Sequence, residues 1–336
     1  MADTKISAMT ALTGANLATD DVFPVVETSE GAADTGNKKM TAAELAKGLD
    51  PLAKTAVTTP LAAPSSGEMK TFPFTRAGFT RPAFRNADGL FQSLQGALYN
   101  FNNHWWLPYL NGAGFATNTG TSGAAFTGAG TLTAAAFNAA AFATSMPRAE
   151  YLVTVASTSA VAGARVATGN WSFTRGSSAK IGGFYQVIRW GPATGVSTST
   201  TRALVGACGH GTTTDVEPST LLNICGMGWD AADTNVQIMH NDGAGTATKI
   251  DLGASWPVPT TDRTSVYEIH VYAPPNSSNV YYTVLDLVND LEASGTLTTN
   301  IPGTTTAMNP HAQFSVGGTN SVIGIAIYGA YVGTYY

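Results

Sequence analysis

The sequence predicts a mainly β protein with three parts: a small N-terminal α+β module, a short helical and aromatic arm, and a large C-terminal antiparallel β-sandwich of the jelly-roll type. Two observations lead to this prediction. Short segments with alternating apolar residues recur after residue 150 and are bounded by Gly, Asn, Asp and Ser, which is typical of strands. Charged residues make up only 12% of the 336 residues, and they are distributed unevenly along the chain.

The distribution of charge predicts the domain boundaries. Residues 1–50 contain eight acidic and four basic side chains, residues 51–111 contain two and five, and residues 112–336 contain twelve and eight. We therefore predict an acidic module over 1–50, a linker and oligomerisation arm over 51–111, and the sandwich domain over 112–336.

The N-terminal module is predicted to contain two short strands and one helix. The β-branched run at 20–28 suits an edge strand, and the turn at 36–40 leads into a second strand. Thr41 and Glu44 have the spacing of a capping box, which predicts a helix over 41–48.

The arm is rich in aromatic side chains. Apolar residues at 90, 91, 94 and 98 have the spacing of one helical face, which predicts a short helix over 88–99. So short a helix cannot bury the aromatic side chains, so the arm either docks on the C-terminal domain or packs against copies of the same chain. We predict the second, because a large apolar patch usually marks an interface. The interface residues we expect are Phe91, Leu94, Leu98, Trp105 and Trp106.

The sandwich domain begins with an uncharged stretch, residues 111–147, which we expect to be covered by another surface. Residues 241–245 form the clearest turn signal, because Asn, Asp and Gly tolerate positive φ. The segments 236–240 and 246–251 on either side of it are predicted to pair as a hairpin. Three further strands are predicted, at 266–273, 279–287 and 321–331, the last of them central.

Composition disfavours several classes of protein. The sequence contains no run of about 20 strongly apolar residues, so we expect no membrane-spanning helix, and it begins without the pattern of a secretory signal. The net charge of −5 disfavours nucleic-acid binding. Cys208 and Cys225 are too few for a disulfide framework or a four-thiolate zinc site, and whether they are bonded to each other stays open. We predict neither a cofactor nor a metal.

The common local signatures of catalysis are absent from the sequence, and we predict that the chain is not an enzyme. His270 lies in an alternating segment beside Glu268, which favours a surface strand over a general base. Glycan cleavage needs two carboxylates in one cleft. The candidate carboxylates lie in segments with the residue pattern of turns, where Asp and Asn are common because their side chains bond the backbone, so a catalytic role is not needed to explain them. They are Asp230 with Asp233, Asp242 with Asp251, and Asp286 with Asp290 and Glu292.

Sugar binding requires less than glycan cleavage does: an exposed aromatic face and a few planar polar groups. The candidate glycan-binding residues are Trp190, Trp229, Asn235, Asn241, Asp242 and Trp256. The alternative is that the three tryptophans fill the core between two sheets.

The N-terminal module contains KISA at 5–8, LATDDVFPVV at 17–26 and KKMTAAEL at 38–45. These stretches resemble the N-terminal segment of many tailed-bacteriophage fibre and structural proteins. The sandwich domain contains CGMGWDAADTN at 225–235 and QIMHNDG at 237–243. This region is similar to the C-terminal β-sandwich of phage fibre-type proteins, whose fold resembles lectins.

The resemblance implies a structural protein of a phage virion, which we expect to be a homotrimeric tail fibre or appendage on the particle surface. Residues 1–50 would anchor the chain to other virion proteins, and the sandwich would face a host-surface polysaccharide. No nucleic-acid partner and no membrane insertion are expected. Two rivals stay open: a capsid or collar decoration or adaptor protein with a purely structural role, and a glycan depolymerase.

Overall fold

A computed structural model of the chain places two compact units, Met1–Val57 and Thr58–Tyr336. The predicted boundaries at residues 50 and 111 stay a prediction. No helix long and apolar enough to cross a membrane occurs in the described part of the chain. The residues that the structure describes are 22–25, 38–41, 56–57, 61–62, 64–76, 79–86, 91–93, 103–107, 126–166, 172–178, 181–197, 200–209 and 213–334.

Regular structure in the described residues consists of strands and two short 3-10 turns, without an α-helix. The turns are Phe142–Thr144 and Pro218–Thr220. The strands are β1 (Val22–Val25), β2 (Lys38–Thr41), β3 (Met69–Arg76), β4 (Phe79–Asn86), β5 (Phe91–Ser93), β6 (Asn103–Leu107), β7 (Phe126–Ala129), β8 (Thr131–Ala134), β9 (Ala149–Ser157), β10 (Val161–Val166), β11 (Phe184–Thr194), β12 (Arg202–Cys208), β13 (Ile224–Trp229), β14 (Gln237–Asn241), β15 (Thr248–Asp251), β16 (Tyr267–Ala273), β17 (Val280–Asp286), β18 (Leu291–Leu297), β19 (Asn309–Ser315) and β20 (Ser321–Thr334).

Two large antiparallel sheets form the sandwich in the second unit. The seven-stranded sheet has the order β15-β14-β13-β12-β19-β10-β7, and the eight-stranded sheet has the order β18-β17-β16-β11-β20-β9-β8. The predicted antiparallel β-sandwich is therefore confirmed. The long strand β20 lies between β11 and β9, which confirms that the C-terminal strand is central. Smaller sheets are the β1-β2 hairpin in the first unit and the order β3-β4-β5 in the second.

The hairpin predicted around the Asn-Asp-Gly turn is confirmed. β14 and β15 pair in an antiparallel register that sets Gln237 opposite Asp251. At the start of the turn, the Asp242 carboxylate accepts a hydrogen bond from the Ala244 amide at 2.8 Å, the local bond that favours Asp in turns. The strands predicted at 266–273 and 279–287 are confirmed as β16 and β17.

The helix predicted over 88–99 is wrong where the structure describes that segment. Phe91 lies in β5 and is in register with Arg85 of β4, so pairing between strands overrides the local helical spacing. The helix predicted over 41–48 lies outside the described residues, except for Thr41, which ends β2.

Two of the five predicted interface residues lie in a strand of the sandwich. Trp105 and Trp106 belong to β6, whose backbone pairs with β20. This segment of the arm therefore docks on the C-terminal domain, which was the first of the two alternatives. Leu94 and Leu98 lie outside the described residues, and the interface between copies stays a prediction.

The core lies between the two large sheets and is filled by alternate residues of their strands. Trp190 of β11 and Trp229 of β13 come from opposite sheets and stack with ring centroids 5.9 Å apart. The ring of Tyr267 on β16 lies 5.4 Å from Trp190. All three side chains are buried, and the burial of such large aromatic side chains is a main contribution to the stability of a core.

The question of a Cys208–Cys225 bond is settled by strand geometry. Cys225 faces the core between the sheets, whereas Cys208 packs on the opposite face of the same sheet with Leu204 and Met239. The two cysteines are not joined by a disulfide bond. Burial raises the pKa of Cys225 to about 12, against a smaller opposing effect of the Arg175 charge.

Replacement of Trp229 by alanine should lower the free energy of unfolding by about 3–5 kcal/mol, because it removes a fully buried indole and leaves a cavity. Urea denaturation measures this change. The matched control is Val155→Ala on β9, where the side chain is 75% exposed and the expected change is below about 0.5 kcal/mol. Equal losses for both variants would contradict the assignment of Trp229 to the core.

Candidate functional site

The three candidate tryptophans lie in the core of the sandwich. Trp190 and Trp229 are 0% exposed and Trp256 is 5% exposed, and the Trp256 ring stacks on Tyr267 at a centroid distance of 6.5 Å. A sugar ring cannot reach a face of any of them. The predicted stacking role is therefore corrected for all three, and the alternative that they fill the core is confirmed.

Asn241 and Asp242 stabilise the turn after β14. Asn241 is fully buried, and its side-chain amide donates to the Leu221 carbonyl oxygen at 2.8 Å. The Asp242 amide donates to Asn300 Oδ1 at 3.1 Å. Burial excludes Asn241 from ligand contact, so the prediction for that residue is corrected, whereas Asp242 stays partly exposed.

Asn235 is the candidate that meets other polar side chains at the surface. Its side-chain amide donates to both carboxylate oxygens of Asp251, at 3.1 and 3.3 Å, and the Gly253 amide donates to the same carboxylate at 2.7 Å. The bond from the Gly253 amide is the largest cause that lowers the pKa of Asp251, and the Asn235 amide adds to it. The carboxylate is thus ionised and fixed in direction at the exposed edge of the seven-stranded sheet.

Lys249 extends this group of side chains along β15. Its Nζ lies 2.5 Å from Asp233 Oδ1 and 3.1 Å from Asp230 Oδ2. Burial alone would lower the pKa of Lys249, but the hydrogen bonds and charges of Asp233 and Asp230 raise it overall. We define the polar patch as Asp233, Asn235, Lys249 and Asp251.

The chain covers part of the outer face of the seven-stranded sheet with its own residues 213–221, which we call the strap. Val216 and Leu221 of the strap pack in the same apolar cluster as Leu204, Ile224 and Met239 of the sheet. The outer face of β13 also carries Gly228, where a Cβ would lie 1.9 Å from the Ala203 carbonyl oxygen, so only glycine permits the close approach of β12.

Charged side chains of the sheet and of the turn after β13 hold the strap in place. Arg202 of β12 reaches Asp215 at 3.3 Å and Glu217 at 3.0 Å. Asp230, next to the polar patch, accepts from the Ser219 amide at 3.0 Å. Asp230 also pairs with Lys249, so ion pairs and hydrogen bonds connect the strap to Lys249 and Asp233 of the polar patch.

A second polar cluster lies on the outer face of the eight-stranded sheet. The Tyr185 hydroxyl is 2.6 Å from His270 Nδ1, His270 Nε2 is 2.7 Å from Glu268 Oε1, and Arg189 Nη2 is 2.6 Å from Glu268 Oε2. His270 is 5% exposed, so its interpretation as a surface-strand residue is wrong. Both ring nitrogens are engaged, and the chain of bonds links β11 to β16.

The candidate carboxylate pairs have structural partners. Asp230 and Asp233 share Lys249, and Asp286 accepts from the Val288 and Asn289 amides at 3.0 and 3.1 Å. Asp242 and Asp251 lie at opposite ends of the β14–β15 hairpin. Within the described ranges, no group of three or more His, Cys, Asp or Glu side chains could hold a metal ion.

Sequence reasoning missed Lys249, and it named Asp251 only as a possible catalytic carboxylate paired with Asp242 and not as a neighbour of Asn235. Their spacing of two along β15 puts them on one face of an edge strand, a signal that was present in the sequence. Their link to Asn235 and Asp233 has no such signal, because it depends on how the turn before β14 folds back toward β15.

Comparison with solved structures finds sandwiches at low similarity. Lectin II from Ulex europaeus is 8% identical, with 70% of this chain and 100% of that chain covered and a TM-score of 0.42. A protein of unknown function from Shewanella oneidensis MR-1 is 11% identical, with coverage of 72% and 95% and a TM-score of 0.43. A carbohydrate esterase from the Shiga toxin-encoding bacteriophage phi24B is 12% identical, with coverage of 70% and 100% and a TM-score of 0.38. At TM-scores below 0.5, these likenesses carry no conclusion about ligand or activity. No protein-family model and no curated protein matches the chain.

Acid should destabilise the fold through Glu268. Burial would raise the pKa of Glu268, but the hydrogen bond and charge of His270 and the charge of Arg189 lower it to about 2, from its ordinary value of 4.5. The ionised carboxylate therefore stabilises the fold at pH values above 4.5, and this contribution is lost as the pH falls towards 2.

We expect the unfolding free energies of the wild type and of Glu268→Gln, measured by urea denaturation, to converge as the pH falls through this window. Glu68→Gln, at an exposed position, is the matched control and should follow the wild type throughout. A constant difference between wild type and Glu268→Gln from pH 7 to pH 2 would contradict the assigned pKa.

Proposed function

We propose that the chain is a structural protein of a tailed-phage virion, a homotrimeric fibre or appendage, whose sandwich recognises a host-surface glycan without cleaving it. The observation that supports glycan recognition is the polar patch at the edge of the seven-stranded sheet. Its side chains are held in fixed directions by one another and by backbone amides.

The chemistry of the polar patch suits sugar hydroxyls, which donate and accept hydrogen bonds at once. The carboxylate of Asp251 accepts, the ammonium of Lys249 donates, and the side-chain amide of Asn235 offers both functions. Because the groups are already ordered, little side-chain entropy is lost when a sugar binds. The patch lacks a described exposed aromatic ring, so we expect weak single contacts that gain strength from several copies.

Placement on a virion rests on the N-terminal segment and its resemblance to phage fibre proteins. Residues 1–50 carry twice as many acidic as basic side chains, and the first compact unit, Met1–Val57, is distinct from the sandwich unit. A separate small unit is the form expected of an anchor that leaves the sandwich free to face a host surface.

A purely structural decoration or adaptor protein is the second candidate. It is favoured by one feature of the polar patch, namely that its charged groups are already paired with each other. In that case the patch serves the stability of the β14–β15 edge, and the outer surface of the sandwich contacts other virion proteins.

Binding to a panel of purified bacterial capsular and O-chain polysaccharides tests the proposal. We expect the wild-type protein to bind at least one of them, and Asp251→Asn to weaken that binding about tenfold or more, as expected for a lost charge-assisted hydrogen bond. The matched control is Asp290→Asn, which makes the same charge change at an exposed turn residue with positive φ.

Three outcomes separate the candidates. Loss of binding in Asp251→Asn but not in Asp290→Asn, with equal thermal stability, supports glycan recognition at the polar patch. Failure of the wild-type protein to bind any polysaccharide supports the structural role. Release of new reducing ends from a bound polysaccharide would make the chain a depolymerase and contradict the proposal.

A further inference from the structure

Three buried polar atoms lie under the strap without a hydrogen-bond partner among the described residues. They are Gln313 Nε2, Ser315 Oγ and Arg202 Nε. Gln313 is 1% exposed and Ser315 is 0% exposed. Buried polar groups in folded proteins nearly always have a partner, either in the protein or in ordered water, so a partner outside the protein chain is expected for these three atoms.

The register of the seven-stranded sheet brings the three groups together. Ser315 of β19 lies directly opposite Arg202 of β12, and Gln313 lies two residues away on the same face of β19. Side chains in directly opposed and diagonal positions are within reach of each other. All three groups therefore project from one small area of the outer face of the sheet.

The strap covers this area of the outer face. The Thr214 amide donates to Gln313 Oε1 at 3.5 Å, and Asp215 Oδ1 accepts from Arg202 Nη1 and from the Gly317 amide. Gly317 has a φ of +62°, and a Cβ there would lie 1.9 Å from the Thr200 carbonyl oxygen and 3.2 Å from Arg202 Nε, so only glycine permits this close approach beside Arg202.

The charges and donors around these three atoms determine what kind of molecule can bind them. Two of the three unpartnered atoms are N–H donors, and the third is a hydroxyl, so the molecule must accept hydrogen bonds. Arg202 contributes one positive charge, whereas Asp215 and Glu217 contribute two negative charges. The net negative charge disfavours an anion, and the N–H donors disfavour a cation.

We propose that these three groups bind one internal water molecule. It accepts from Gln313 Nε2 and Arg202 Nε and shares a hydrogen bond with the Ser315 hydroxyl, which gives it the number of partners usual for buried water. The water fixes the side chains of Gln313 and Arg202, which in turn bond the strap at Thr214 and Asp215. The site is independent of the proposed glycan binding.

A crystal structure of the full chain at atomic resolution, grown with bromide as the only halide, tests the site directly. We expect a spherical density peak about 2.7–3.2 Å from Ser315 Oγ and Gln313 Nε2, without an anomalous bromide signal. A bromide signal at that position would overturn the proposal, as would direct hydrogen bonds that satisfy the three groups with no solvent peak.

Amide hydrogen exchange tests the same site in solution. Ser315→Ala removes one partner of the water, and we expect exchange of the Thr214 and Gly317 amides to become about tenfold faster, as for the loss of one net hydrogen bond. Ser294→Ala, at an exposed position of β18, should leave both rates unchanged. Unchanged rates in Ser315→Ala would overturn the role of the water in holding the strap.

Discussion

Burial between two antiparallel sheets is the constraint on which the rest of the structure depends. Because the inner faces take the large aromatic side chains, Trp190 and Trp229 stabilise the fold and are withdrawn from any ligand. The outer faces then become the surfaces left for recognition. One of them is partly covered by the strap, whose leucine and valine side chains extend the apolar packing to the outside of β12 and β13. The edge strand β15 is exposed, and the polar patch lies there.

The strap and the polar patch are linked by charge. Arg202 holds two strap carboxylates, and Asp230 joins the strap backbone to Lys249. A single ion pair at a surface contributes little to stability. Here each carboxylate also accepts a hydrogen bond from a backbone amide, and this bond fixes the direction of the carboxylate. An edge with fixed donors and acceptors is a better basis for recognising hydroxyl groups than a flexible one.

Much of the sandwich could be predicted from the sequence, because strands carry a two-residue period and their turns carry Asn, Asp and Gly. The hairpin after β14 and the central position of β20 were found in this way. The prediction of a helix over 88–99 was wrong because Phe91 lies in a strand that pairs with a neighbouring strand. The spacing of apolar residues within the segment gives no information about that partner. The candidate role of Trp229 as an exposed ring was wrong. Every residue of β13 is buried, so the alternation of apolar and polar residues does not show which face of this strand points outward. Asn235 was named as a candidate from its residue type, whereas its place beside Asp251 depends on contacts between separate turns.

We propose that a glycan binds at the polar patch on the edge of the sandwich and not on the face of the seven-stranded sheet that the strap covers. Hydrogen–deuterium exchange of the full chain, with and without a polysaccharide that it binds, tests this proposal. We expect slower exchange in residues 230–237 and 248–253 and unchanged exchange in residues 309–315. Slower exchange confined to residues 309–315, with no change at the edge, would contradict it.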